Sequence, residues 1–521
     1  MAKKLLLAAV VLLLLGGLGL LLVARSLLGS ESVRARVERQ LSVLTGQPVR
    51  VGSAGASIFP RVTLELSDVA IGEPAAVTAR RISVATGLRG LFGRRIEDAE
   101  VLLSDAAIPL PLPFPLLAAS ERPNGEPHAE SSRPAPPPAS DTTGTPARPE
   151  DDGFTIVSIR VISVRNLEVS VARRSVRVDM ESALEGDRLD VSSLSARSEH
   201  THLTAQGTLQ SLERLQGSFT LAASPLDLDE LLALVAGIAG SNERPRRSAP
   251  DSEMRLRVRL TAPSGRLAGH ELTDLSTTAD VRPARVALAP LSFGMFGGTY
   301  AGTMTVVPKG ETPEIDAQGS VEDMDLAALA AAAGNEGAIT GRLDARLALS
   351  ARGSDRTAIL GSLRGRATGA AVDGEIPGLD LVRAVVLAFG KPSGAPPPGS
   401  GSAFSRLGGT FVLEPGTLAS DDLALASRDF DLLGRMTMRV PGGQLDARAD
   451  VTLSEELTKQ AGTDLRRYAQ EDGRVVVPAR ITGTLSEPVV TVDVAAALNR
   501  ALQNELKRRA QSLFEKLIKK Q

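Results

Sequence analysis

Met254-Arg255-Leu256-Arg257-Val258-Arg259-Leu260 alternates without a fault, apolar at one parity and arginine at the other. In an extended chain successive side chains point to opposite faces, so these seven residues describe a β-strand with one dry and one wet face. Strands that alternate this sharply belong to antiparallel sheets with a single buried side. The same reading recurs in both directions along the chain. Val62, Leu64 and Leu66 alternate with Thr63, Glu65 and Ser67, and Ile82 and Val84 repeat the pattern. Further strands are expected at 96–103, 154–164, 167–178, 201–210, 215–223, 284–292, 299–307, 313–321, 338–350, 359–372, 408–414, 430–440, 443–453, 474–485 and 488–494. That makes about twenty strands, bounded by Gly, Pro and Asp turns. Leu343, Leu347 and Leu349 share one face of theirs.

Helical spacing interrupts the strands at a few places. Residues 26–45 carry Val33, Val37, Leu41 and Leu44 on one stripe and stop at Thr45-Gly46-Gln47-Pro48. Leu226–Ile238 and Met324–Ala333 each open on an Asp-x-Asp, namely Asp227-Leu228-Asp229 and Asp323-Met324-Asp325. Gly207-Thr208 and Gly302-Thr303 lie at similar distances upstream, which reads as one strand-strand-helix unit used twice. Their aspartates are expected to be N-caps and first-turn carboxylates, not paired catalytic acids. Two further helices are expected at Leu379–Phe389 and Ser454–Gln470.

The ends differ from the middle. From Leu5 to Val23, through Leu12, Leu15 and Leu20, no residue is charged. At 1.5 Å per residue that run is about 28 Å long, enough to cross a bilayer core. It ends in Leu21-Leu22-Val23-Ala24-Arg25, without the small-x-small site of a cleaved signal peptide, and so reads as a membrane anchor. Lys3 and Lys4 on one side and Arg25, Arg34, Arg36 and Arg39 on the other leave its orientation open. Beyond Ala495 comes an expected amphipathic helix with Leu502, Leu506, Leu513, Phe514 and Leu517 on its apolar side. Arg500, Lys507, Arg508, Arg509, Lys516, Lys519 and Lys520 outnumber Glu505 and Glu515 there. Such a helix suits a membrane surface or the end of the sheet, and the pattern admits both. The expected organisation is an anchor at 1–25, a helix and strands at 26–117, a Pro/Ser-rich disordered linker at 118–152, a β-body at 153–494 and the basic helix at 495–521.

Composition narrows the chemistry. A net charge of −2 gives no global attraction to nucleic acid. The chain has no cysteine, so it has neither disulfide nor thiolate nucleophile. It has no tryptophan and only two tyrosines, and its apolar content is Leu, Val, Ala and Ile. Of four histidines, His200 and His202 share a strand face, but two imidazoles with no third ligand nearby make a poor metal site. Gly87-Leu88-Arg89-Gly90-Leu91-Phe92-Gly93 is glycine-spaced without the strand-turn-helix setting of a dinucleotide loop and reads as a turn. No phosphate-binding loop, nucleophile elbow or zinc-protease motif occurs, so no enzyme, cofactor or metal is expected.

Several segments, in order, resemble the AsmA family of bacterial envelope proteins. At the N-terminal end these are the anchor, the short helix, Thr45-Gly46, Val49-x-Val51, Phe59-Pro60 and Leu64-x-Leu66-x-Asp68-Val69-x-Ile71. Phe296-Gly297-Gly298-Thr299-Tyr300-x-Gly302, Gly319, Asp325-Leu326, Gly341, Gly353, Leu363-x-Gly365 and Ile376-Pro377-Gly378-Leu379-Asp380-Leu381 follow. Val477-Pro478-x-x-Ile481-x-Gly483-Thr484-Leu485-x-x-Pro488 and Asp493 resemble the closing motif. The resemblance implies a single-pass inner-membrane protein, N-terminus cytoplasmic, with an elongated, curled antiparallel β-groove in the periplasm. It also implies that the groove holds or conducts phospholipid between membranes, or that the protein serves outer-membrane assembly as a non-catalytic scaffold with a protein partner. The implied groove would be lined by Leu64, Leu66, Met254, Leu256, Val258, Leu260, Leu343, Leu347 and Leu349. Exposing one sixteen-carbon chain to water costs on the order of 13 kcal/mol, so a carrier needs a continuous aliphatic face.

Overall fold

The computed structural model describes residues 30–57, 61–87, 95–110, 155–234, 253–308, 312–388, 395–460 and 470–499, apart from scattered positions inside those ranges. The expected anchor with Leu5, Leu12, Leu15, Leu20 and Val23, the 118–152 linker and the terminal helix with Leu502, Leu506, Leu513, Phe514 and Leu517 lie outside the described residues. The fold is mainly β, about two thirds of the described residues being strand. No helix among them is long and apolar enough to cross a membrane. Two compact units divide the chain, Met1–Leu256 and Arg257–Gln521.

The first unit opens with α1 (Ser30–Thr45), which ends where Gly46 takes a left-handed φ of 64° that glycine adopts without steric cost. The Glu38 carboxylate accepts the Val51 N–H at 2.8 Å and the Ser42 hydroxyl oxygen accepts the Val49 N–H at 3.0 Å, pinning α1 to the first strand. Strands β1 (Val49–Ser57), β2 (Val62–Ile71), β3 (Val77–Thr86) and β4 (Ala99–Leu110) then pair antiparallel in chain order. β4 runs parallel to β5 (Ser158–Val171), with Ala106 opposite Leu167. Parallel neighbours need a crossover, and the chain between Leu110 and Ser158 is that connection. β6 (Arg174–Glu185), β7 (Arg188–Arg197), β8 (His202–Ser211) and β9 (Gln216–Ala223) continue the sheet antiparallel.

In the second unit, β10 (Arg255–Leu267) begins at the boundary. A meander follows of β11 (His270–Arg282), β12 (Arg285–Met295), β13 (Gly298–Val307), β14 (Glu314–Asp325), β15 (Arg342–Arg352) and β16 (Arg364–Ile376). It goes on through β17 (Ser402–Glu414), β18 (Thr417–Ala426), β19 (Phe430–Arg439), β20 (Gln444–Leu453), β21 (Arg474–Thr484) and β22 (Pro488–Val492). From β11 onward every strand pairs antiparallel with the next. Among the described residues, four helices sit in the connections: α2 (Leu326–Ala332), α3 (Arg356–Ser362), α4 (Leu381–Ala388) and α5 (Glu455–Gln460). Asp325 caps α2, its carboxylate accepting the N–H groups of Ala327 at 2.8 Å and Ala328 at 3.1 Å. Asp227 accepts the Glu230 N–H at 2.9 Å in the matching position of the first unit.

Several strand boundaries differ from the sequence expectation, and one device explains most of them. Asp68, Asp105, Asn166, Asp274, Asp323 and Asp373 hold φ values near 50° inside strands, a left-handed conformation that short polar side chains tolerate. At each the alternation slips by one residue and then resumes on the same face. Asn166, Asp274 and Asp323 are β-bulges with one residue more than a paired strand, whereas at Asp68, Asp105 and Asp373 the neighbouring strands keep register. In β2 the buried series therefore runs Leu64, Leu66, Val69, Ile71. A carboxylate on the next strand can catch the freed N–H: Asp179 takes that of Asn166 at 2.8 Å and Asp344 that of Asp323 at 2.9 Å. The expected break between 164 and 167 is thus a bulge within β5. Polar, bulged β7, β11 and β18 escaped the alternation test altogether. The first part of the expected 359–372 strand is instead α3, capped by Asp355 through the Ala358 N–H at 2.9 Å.

Candidate functional site

Antiparallel partners that stand opposite each other share a face, so the register gives the surface of the second unit row by row. One row runs Ala279–Leu288–Met304–Ala317–Leu349–Gly365–Leu413–Leu418–Met438–Leu445–Gly483–Pro488, from β11 to β22. Twelve strands at about 4.8 Å make this a path of roughly 53 Å along the sheet. Beside it lie Thr277–Leu291–Gly302–Gly319–Leu347–Ala367–Phe411 on one flank and Val281–Val286–Val306–Ile315–Ala351 on the other. None of the three rows contains a charged residue.

How far this face is covered changes along it. Over β17–β22, Phe404, Leu425, Phe430, Leu432, Val451 and Val477 form a closed core with Leu381 and Val385 of α4, while Leu413, Leu418, Met438 and Leu445 of the row itself stay half-buried beside it. Over β12–β16 the side chains of Leu288, Met304, Val306, Ile315, Ala317, Leu347 and Leu349 are only half-buried. The floor between them is low. A Cβ on Gly302 would come within 2.6 Å of the Gly319 Cα, and one on Gly319 within 2.9 Å of the Tyr300 ring. Tyr300 lies over this glycine pair, its hydroxyl donating to the Gln318 carbonyl at 3.1 Å, and stacks on Phe293 with centroids 5.0 Å apart. Burial pushes its phenol above the usual value of 10.0 and keeps it neutral. The result is a shallow aliphatic trough with one aromatic wall.

The opposite face is wet and paired. Arg257 and Arg259 are exposed, as are Arg342, Arg346 and Arg366. Arg352 meets Glu314 at 2.9 Å and Arg480 meets Asp446 at 2.9 Å across strands.

The expected groove residues divide into two groups. Met254, Leu256, Val258 and Leu260 are half-buried and alternate with exposed arginines as their sequence requires. Met254 and Leu256 fall in the first unit, where Leu256 packs against its core, and Val258 and Leu260 open the second. Leu343, Leu347 and Leu349 are half-buried on β15. Leu64 and Leu66, expected on the same surface, are each 1% exposed inside the first unit's core, packed in one cluster with Val37 and Leu41 of α1. They hold that unit together and leave no surface for a guest. Sequence reasoning missed Leu288, Met304, Ile315 and the glycine floor; the Phe296–Gly302 motif was visible, but the pairing of its Gly302 with Gly319 beneath Tyr300 depends on register. His202 is partly buried on β8, its Nε2 without a hydrogen-bond partner. Among the described residues no three His, Asp or Glu side chains are placed to hold a metal.

No curated protein and no solved structure matches the chain. A family model does match, over residues 236–411, a span that contains β10–β16 with the half-open trough and most of β17. Over that stretch the chain matches the AsmA family, which supports the assignment that the sequence motifs suggest.

Proposed function

We propose that the half-open face of β10–β16 shelters phospholipid acyl chains, and that the protein carries or conducts lipid across the bacterial envelope from an inner-membrane anchor at residues 1–25, its body in the periplasm. The observation that carries this reading is the uncharged, half-buried run Leu288–Met304–Ala317–Leu349 with its flanking rows. Each methylene placed against such a face instead of water gains about 0.8 kcal/mol. Headgroups would remain in solvent, since the trough itself offers no charge. The closed face of β1–β4 favours a second reading, a scaffold for outer-membrane assembly, because a filled core has no room for lipid.

Lipid mass spectrometry on full-length protein isolated without detergent separates the two. Phospholipid in stoichiometric amount is expected, and its absence favours the scaffold. Val258→Asp and Leu347→Asp, on the dry face, should each lower the lipid recovered at least fivefold. Arg257→Asp and Arg346→Asp, one residue away on the wet face, should leave it within a factor of two. Equal losses from both faces would defeat the trough.

A further inference from the structure

A second concavity lies on the wet face of the same unit, where nothing in the lipid reading uses it. It is a cleft of about 1220 Å³ across β14–β19. Its floor is the row Ala370–Gly408–Ala424–Leu433, small residues that let the outer face dip. Leu433 at its end is 66% exposed, more than any other large hydrophobic side chain among the described residues. An isolated leucine on a charged strand face is ordinary; one at the end of an apolar floor inside a cleft marks a docking surface.

The cleft is also acidic. Glu322, Asp323, Asp344, Asp422 and Asp431 line it against Arg346 and Arg406, an excess of three negative charges. Two of these carboxylates are held in place by backbone donors, Asp344 by the Asp323 N–H at 2.9 Å and Asp422 by the Thr410 N–H at 2.6 Å. Asp431 is partly engaged by Arg474 at 2.8 Å.

The floor row continues from Leu433 through Asp450 to Pro478 on β21. The chain leaves the sheet beside that same residue: the Asp493 N–H donates to the Pro478 carbonyl at 3.0 Å. Asp493 then accepts the Ala496 N–H at 2.8 Å, the contact of a helix N-cap. From there the sequence carries five surplus positive charges and the apolar stripe Leu502, Leu506, Leu513, Leu517. As a helix, residues 495–521 would be about 40 Å long, and the row from Pro478 back to Asp344 crosses seven strands, about 29 Å.

We infer that the basic C-terminal segment of this chain is the occupant of the acidic cleft, its leucines over Ala370–Gly408–Ala424–Leu433 and its lysines and arginines on the rim. Launch point, length, charge and apolar stripe all agree. Being on the same chain, the segment sees the cleft at an effective concentration in the millimolar range, an advantage over a free partner. This does not depend on lipid occupying the opposite face.

The chain has no cysteine, so an introduced pair reports without background. The test uses full-length protein carrying Leu433→Cys with Leu506→Cys or Leu513→Cys, oxidised by air and copper. An intramolecular disulfide is expected in the monomer band for at least one pair. It should form tenfold more slowly when Arg508→Glu, Arg509→Glu and Lys516→Glu are added, changes outside the sheet that leave its folding alone. Failure of both pairs to close, or closure at an unchanged rate with the reversed charges, overturns the inference. So does a disulfide found only in a dimer band, which would make a second copy the occupant. Protection of the Leu513→Cys thiol from a water-soluble alkylating reagent only when vesicles of anionic phospholipid are added would assign the segment to the membrane instead.

Discussion

The sheet face of β1–β4 and that of β12–β16 are both aliphatic, yet one is sealed and the other half open. On β1–β4 most inward positions are branched, among them Val49, Val51, Val62, Leu64, Leu66, Val69, Ile71, Ile82, Val84, Val101 and Ile108, each at most 7% exposed, with alanine at Ala54, Ala79, Ala99 and Ala106. On β12–β16 glycine and alanine alternate with leucine and methionine, as in Gly302, Gly319, Ala317, Ala367 and Gly365 beside Leu347, Leu349 and Met304. The first set fills its own interior and receives Val37 and Leu41 from α1. The second leaves a trough, because small residues lower the floor between the large ones. Hydrophobicity is common to the two faces; side-chain volume and a covering helix divide them.

Truncation should expose this difference most strongly. Leu66→Ala removes a side chain that is 1% exposed, and about 3 kcal/mol of stability should go with it as transfer and cavity costs add. Leu347→Ala, half-buried, should cost less than about 1 kcal/mol. Urea denaturation of the two full-length variants measures both; similar losses would mean that the trough is as well packed as the core. Next in size is the floor. Gly302→Val must move β14, since its Cβ would collide with the Gln318 carbonyl and the Tyr300 hydroxyl. About 2 kcal/mol is expected, the usual range for overpacking. Unchanged stability would show that the strands there separate freely.

The alternation of β10 and β15 already marks Leu260 and Leu347 as dry and Arg259 and Arg346 as wet. The α1 stop at Thr45-Gly46 and the Asp325 cap were equally plain, because both are local in the chain. Whether a dry face is covered is not local. Leu64 and Leu347 sit in identical alternation, and what separates them is α1, a helix that precedes β2 by a full strand. Register is not local either. Gly302 and Gly319 are unremarkable apart and become a floor only when β13 and β14 pair. Bulges such as Asp274 and Asp323 hide a strand by slipping its phase, which is why His270–Arg282 went unread. The trough was thus legible strand by strand and illegible as a surface.

A smaller effect tests whether the helix following β14 helps to close that end of the sheet. Asp325→Ala removes the carboxylate oxygen that accepts both N–H groups in the first turn of α2, and about 1 kcal/mol is expected from the lost cap. Asp325→Asn, which keeps an acceptor, should recover most of it. If Asp325→Asn is as unstable as Asp325→Ala, charge at the helix terminus matters more than the hydrogen bonds.

Acid should distinguish the wet faces least, and the sign of its effect follows from the carboxylates. Asp446 is held below its ordinary value of 3.8 chiefly by the hydrogen bonds of Arg480, and Asp190 by those of Arg188 and Thr208. Asp187 is lowered chiefly by the Ser211 hydroxyl and Asp422 by the Thr410 backbone N–H. A carboxyl with a lower pKa folded than unfolded stabilises the fold above the unfolded value and ceases to do so as pH falls through the folded one. Stability should therefore stay level on acidification to about pH 5, begin to decline as pH nears 3.8 and go on declining below it. These groups are exposed, so each contributes little in salt. Asp446→Asn should be nearly silent at pH 7 and should make the decline below 3.8 shallower, because one fewer group takes up a proton on unfolding. A thermal melt series from pH 7 to pH 3 reads this directly. An acid decline of the same steepness in both proteins would mean that the Arg480 pair persists in the unfolded chain or was never formed.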